Sequence, residues 1–124
     1  MTLDEIMKAL YYKKETYFLD IFGKIKHNQT TLYADRNNCR SACQIERWLQ
    51  LNDMLNVTEY LNDGWHPDWQ NGKEQKFILC FSGKELIVKA VDNPCHFMYF
   101  QSEEKAWEAV KILGEEVVRQ VLEG

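Results

Sequence analysis

Four cysteines and three histidines are the side chains best suited to metal binding or nucleophilic chemistry in this chain. Cys39 and Cys43 are four residues apart, a spacing that puts both thiols on one face of a helix, and Cys95-His96 follows much later. Paired zinc cysteines usually stand two residues apart in a knuckle that is repeated, and neither half here has that spacing. Cys80 lies in the apolar run Phe77-Ile78-Leu79-Cys80-Phe81, where a thiol acts as a small hydrophobe. No metal and no cofactor are expected. A nucleophile needs a base within hydrogen-bond reach and a group that orients the base. None of His27, His66 and His96 stands in such a motif, and in an extended strand Cys95 and His96 point to opposite faces. His66 and Asp68 flank Pro67 and can share a hydrogen bond, which reads first as a satisfied turn. Glu103-Glu104 and Glu115-Glu116 read as solvated helix starts, and no glycine-rich phosphate loop is present. These patterns argue against an enzyme.

The most distinctive stretch is Gly64-Trp65-His66-Pro67-Asp68-Trp69. A glycine can leave a helix with positive φ, and proline holds the residue before it extended. Asp68 can then bond nearby backbone N–H groups in a turn. Two indoles around a stiff bend make a corner that docks one layer of a domain on another, each buried large side chain contributing about 1.5–3 kcal/mol. That structural role comes first. Trp65, His66, Asp68 and Trp69 are also the candidate partner-binding surface, because an exposed apolar patch marks an interaction site.

Charge points to a second candidate. The chain carries −4 overall, yet residues 1–47 hold eight Lys/Arg against six Asp/Glu while residues 48–124 hold seven against thirteen. Lys8, Lys13, Lys14, Lys24, Lys26, Arg36, Arg40 and Arg47 could form a basic face, with Tyr11, Tyr12 and Tyr33 to stack on bases. Lysines on the outer side of an amphipathic helix need no such explanation, and nucleic-acid binding usually demands a more basic footprint. Nucleic acid is therefore the alternative partner.

The elements that must position these residues follow from periodicity. A chain of 124 residues, 45% hydrophobic and 13% aromatic, has material for one domain with one core. Thr2 and Glu5 form a capping box, and Leu3, Ile6, Met7, Leu10, Tyr11, Tyr17, Phe18, Ile21 and Phe22 recur at helical spacing. The spacing predicts an amphipathic helix over residues 1–23 that packs on its own sheet or on a second copy as a homodimer arm. Residues 24–40 read as a polar loop with a short extended piece at Leu32-Tyr33. From Ser41, with Gln44 as its capping partner, a second helix reaches Asp63-Gly64, with a break possible at Asn56. Strands are predicted over 75–81, 85–91 and 96–101, joined at Ser82-Gly83 and Asp92-Asn93-Pro94. Ser102 caps a helix carrying Ala106, Trp107, Val110 and Leu113, and Gly114 separates it from a last helix with Val117, Val118, Val121 and Leu122. The expected fold is α+β in the order ααβββαα, a three-stranded antiparallel meander packed against helices. Residues 41–124 form the α-βββ-α body of a single domain. No apolar run reaches membrane-spanning length, and the acidic start Met1-Thr2-Leu3-Asp4-Glu5 is unlike a signal peptide. A cytoplasmic protein with reduced thiols is expected.

Leu61-Asn62-Asp63-Gly64-Trp65-His66-Pro67-Asp68-Trp69, the strand Lys76–Phe81, and Phe100-Gln101-Ser102-Glu103-Glu104 with Ala106, Ala109 and Ile112-Leu113-Gly114 together carry a likeness. Over roughly residues 49–122 the chain resembles a family of short, uncharacterised proteins from bacteriophages, prophages and mobile elements. In that family a helix runs into Gly-Trp-x-Pro-Asp-Trp, then a hairpin, then an aromatic strand that meets Ser-Glu-Glu. The resemblance implies expression in a bacterial cell as an accessory factor, and it transfers no catalytic or binding residue. The sequence thus reads as a non-enzymatic accessory protein that binds another macromolecule, an unidentified protein in the first instance, with nucleic-acid binding through the basic N-terminal segment as the alternative and a small enzyme or metal-binding protein as the second alternative.

Overall fold

Thr2 starts the first element: its Oγ1 accepts the Glu5 N–H at 3.1 Å and caps α1 (Leu3–Tyr11). The computed structural model describes residues 1–30 and 38–123. Helix α1 ends far short of the expected residue 23. Lys13 turns left-handed at φ 54°, and the chain continues as β1 (Lys14–Leu19) and β2 (Ile25–Thr30). The spacing of Tyr17, Phe18, Ile21 and Phe22 satisfies a helix, but Thr16-Tyr17-Phe18 favours the pleated strand, and Asp20 to Gly23 is built as a turn. Asp20 Oδ1 accepts the Phe22 and Lys24 N–H groups at 2.8 and 2.9 Å, Asp20 N donates to Lys24 O at 2.9 Å, and Gly23 takes φ 79°. Ile21 and Phe22, expected on a buried stripe, stand out at the tip with 94% and 81% of their surface exposed.

The predicted loop over 24–40 is likewise corrected, since it supplies β2 and the two-residue β3 (Asn38–Cys39). Strand β1 lies between them in an antiparallel sheet of order β2-β1-β3, with Lys14 opposite Thr30 and Leu19 opposite Ile25. Leu32, Tyr33 and Arg36 lie outside the described residues. Ser41 and Gln44 form the expected box: Ser41 Oγ accepts Gln44 N at 3.3 Å, and Gln44 Oε1 accepts Arg40 N and Ser41 N at 2.8 and 3.1 Å. Helix α2 (Ala42–Asn62) follows and passes Asn56 unbroken.

After α2 come β4 (Lys76–Ser82), β5 (Glu85–Val91), α3 (Glu103–Leu113) and α4 (Glu115–Glu123). The class is α+β, but the three-stranded meander is not formed. Strands β4 and β5 pair as a hairpin from Lys76 opposite Val91 to Ser82 opposite Glu85, and of the predicted third strand only Phe100 pairs, exchanging two backbone bonds with Phe77. One edge of that segment is taken by a side chain. Asn62 Nδ2 donates to Tyr99 O at 2.8 Å and its Oδ1 accepts Gln101 N at 3.1 Å, so the amide pairs as a neighbouring peptide group would. Upstream, Tyr99 Oη accepts both Cys95 N and His96 N at 2.7 Å and curls residues 95–99 into a turn.

Where one domain is expected, the contacts group into two compact units, Met1–Leu49 and Gln50–Gly124, the division falling inside α2. The first buries Tyr11, Thr16, Cys39 and Ile45. The second closes around Met54, Leu79, Leu86, Met98, Phe100, Ala106, Ala109 and Val118. Ser102 caps α3 by accepting Lys105 N at 3.2 Å, and Gly114 (φ 91°) separates α3 from α4.

Substitutions at the Asp20–Gly23 turn and in the second core test this arrangement. Ile21→Ser with Phe22→Ser should shift the urea unfolding free energy by less than about 0.5 kcal/mol per site, as at other solvated positions. Phe100→Ala, at the centre of the second core, should cost about 3–5 kcal/mol.

Candidate functional site

Helix α2 leaves its last turn through two left-handed residues, Asp63 at φ 47° and Gly64 at φ 85°, and Trp65 N closes the exit on Asn62 O at 2.9 Å. Pro67 then carries the chain away, and Asp68 Oδ1 accepts Gln70 N at 3.1 Å in the turn expected of it. Asn71 builds the next turn, accepting Lys73 N on Oδ1 at 3.1 Å. Between these turns lies an anchor that sequence reasoning missed. Lys76 at the start of β4 is only 3% exposed. Its Nζ donates to Asn71 O and Glu74 O at 3.1 Å each, sits 3.5 Å from Glu74 Oε1, and lies 5.2 Å from the centroid of the Trp69 ring. Glu74 Oε1 also accepts Asp68 N at 2.9 Å. The Asp68 N–H, then Trp65 and Lys76, hold the Glu74 carboxyl below the usual range against the opposing pull of desolvation.

The two indoles therefore do different work. Trp69 is half-buried, with its edge on Tyr99 at a centroid distance of 4.8 Å and an interplanar angle of 76°. Trp65, also half-buried, faces a cleft of about 420 Å³. The cleft runs between the last turns of α2 (Leu55, Glu59), the corner (Trp65, His66) and the segment Phe97–Tyr99. Of the four residues expected at a partner surface, Trp65 and His66 line this cleft, whereas Asp68 and Trp69 stand behind it as supports. Leu55, Glu59, Phe97 and Tyr99 are additional wall residues. Phe97, half exposed, stacks on His96 at 4.5 Å. Burial lowers the His96 pKa from its ordinary value.

Two of the cationic side chains of the first unit stand at opposite ends of one hairpin. Lys14 sits at the open end of the β1–β2 hairpin, and Lys24 follows the turn at the other end, about 20 Å away at the usual strand rise. Lys8 lies in the last turn of α1, and Lys13 rests its Nζ 5.4 Å from the Tyr12 ring. Lys26 is 4.0 Å from Asp20, and Arg40 Nη1 donates to Glu15 O at 2.6 Å. Arg36 is outside the described residues.

Cys39 ends β3 and is buried, which pushes its thiol pKa up; Cys43 and Cys95 are exposed, Cys80 is half-buried, and all four are thiols. Among the described residues no three His, Cys, Asp or Glu side chains converge as metal ligands, and no helix is long and apolar enough to cross a membrane. Comparison with protein-family models, curated proteins and solved structures finds no match.

The anchor predicts a pH dependence. Glu74 has a lower pKa folded than its unfolded value of about 4.3, so the unfolded chain binds more protons between the two values. The resulting stability is present above about pH 4.3 and is lost as pH falls through the folded pKa. His96, also lowered, gives the same sign of slope starting from its unfolded value of about 6.5. In urea midpoints measured from pH 7 to pH 3, Glu74→Gln should flatten the limb below about 4.3 and leave the limb starting near 6.5 in place.

Proposed function

We propose that the protein acts without catalysis, by holding a segment of another protein in the cleft between the end of α2, the Trp65 corner and Phe97–Tyr99. The observation that carries this reading is the cleft's construction. Its walls are largely apolar and aromatic, two of its large side chains (Leu55 and Phe97) are exposed, and its floor is already bonded internally. Thr58 Oγ1 donates to Met54 O at 2.7 Å, the Asn62 amide is engaged at both ends, and Tyr99 Oη accepts two backbone N–H groups. A pocket with an apolar body and few remaining polar groups suits docking of a side chain better than bond-making chemistry.

Charge favours protein over nucleic acid at this face. Residues 48–124 carry six more acidic than basic side chains, and one of the acidic ones, Glu59, stands in the cleft wall, a field that repels phosphate. The likeness of Leu61–Trp69 to phage- and mobile-element proteins agrees with an accessory role in a bacterial cytoplasm.

A photo-crosslinking amino acid at position 97, compared with the same group at exposed Lys89 on β5, tests the reading. Crosslinks to protein should form from position 97, survive nuclease, and be displaced when unlabelled protein is added in excess but not when unlabelled Phe97→Asp is added. The Phe97→Asp chain should keep its melting temperature within the range of surface substitutions, about 0.5 kcal/mol in stability. Equal crosslinking from positions 97 and 89, or loss on nuclease treatment, rejects the proposal.

A further inference from the structure

We infer that the cleft recognises a cationic side chain, the lysine or arginine of a partner polypeptide; this rests on the cleft being the binding surface and names what it binds. Among the described wall residues Glu59 is the one carboxylate, and none is a lysine or arginine. Three other polar wall groups are engaged: Thr58 donates to Met54 O, the Asn62 amide bonds Tyr99 O and Gln101 N, and the Tyr99 hydroxyl accepts the Cys95 and His96 N–H groups. Among the described residues no ion pair and no side-chain hydrogen bond engages Glu59. The Glu59 carboxylate, beside an aromatic wall, is therefore an acidic group open to a ligand.

Those groups match a long basic side chain. Its methylene stem can lie along Leu55 and Phe97, while its head reaches Glu59 and the π-face of an aromatic wall residue. An acidic side chain meets Glu59 and the acidic second unit as like charges, and a purely apolar one leaves the carboxylate without a role. Among the described residues no lysine or arginine lines the cleft. Lys76, the cation of the neighbouring anchor, is fully occupied by Asn71, Glu74 and Trp69. Because Glu59 is exposed, its contribution is that of a surface ion pair, a factor of about two to five in affinity, and it weakens with salt.

Three capped pentapeptides, with lysine, Nε-acetyl-lysine or glutamate flanked by glycines, and a short oligothymidylate, titrated into the ¹⁵N-labelled full chain by NMR, test the inference. The lysine peptide should shift the Trp65 indole N–H and the backbone amides of Glu59 and Phe97. Acetyl-lysine should bind at least twofold more weakly, glutamate should be weaker still, and raised salt should narrow the difference. Glu59→Lys, with an otherwise unchanged spectrum, should abolish the lysine-peptide shifts, and Glu59→Gln should reduce the affinity about two- to fivefold. Equal binding of lysine and acetyl-lysine peptides, shifts confined to residues away from the cleft, no shift with any peptide, or preferential shifts with the oligothymidylate overturn the cationic assignment. If crosslinks from position 97 persist in any of those cases, the cleft still binds a protein of other chemistry; if they are lost as well, both readings fall.

Discussion

The second unit depends on one side-chain amide at the end of a helix. Asn62 offers a donor and an acceptor in the geometry of a peptide group, and it spends both on Tyr99 O and Gln101 N. The last turn of α2 is thereby tied to a segment some forty residues away in sequence, and Phe100 between the two bonds is turned into the core. A hydrophobic contact at this place could slide or rotate. Two directional bonds cannot, because leaving either backbone group buried and unpaired costs about 1–3 kcal/mol. The width of the cleft follows from the same tie, since its opposite walls are the helix end and the segment that Asn62 holds.

A second constraint is electrostatic and sits behind the first. A lysine ammonium withdrawn from water is tolerated only when its donors are satisfied and a counter-charge is near. Lys76 meets both conditions through two carbonyl oxygens and Glu74, and the same carboxylate receives the Asp68 N–H. The corner is thus wrapped around an ion pair, with Trp69 covering the ammonium and bracing Tyr99. Trp65 itself is half-buried and borders the cleft. Support and binding surface are built from the same few residues, which is why Asp68 and Trp69 belong to the site without lining it.

Legibility in the sequence varied with the range of the interactions. The caps at Thr2, Ser41 and Ser102, the end of α2 at Gly64, the turn at Asn71 and the break at Gly114 were all readable, since each is decided within a few residues. The stretch from Tyr12 to Leu19 was misread because aromatic and aliphatic residues there fit periods of both 3.6 and 2. Lys13 and the Asp20 turn decided between them by breaking the helix and closing a hairpin. Residues 96–101 looked like a strand for a similar reason, and the Tyr99 hydroxyl and the Asn62 amide left only Phe100 to pair with β4. Of the site, the corner residues stood out by their types and spacing, whereas nothing marked Glu59, Phe97 or Leu55 as their neighbours.

By itself the sequence determined the α+β class, the positions of most helix ends, and the presence of a rigid tryptophan corner after the long helix. These follow from side-chain shape and from hydrogen bonds that close over two to four residues. Only the tertiary structure decided that the corner holds a buried lysine paired with a half-buried glutamate, that one indole braces while the other borders a cleft, and that a single acidic residue marks the cleft wall. Those outcomes depend on bonds between residues distant in the chain, such as Asn62 with Tyr99 and Gln101, and no local pattern of residue types encodes which distant partner a polar side chain will find.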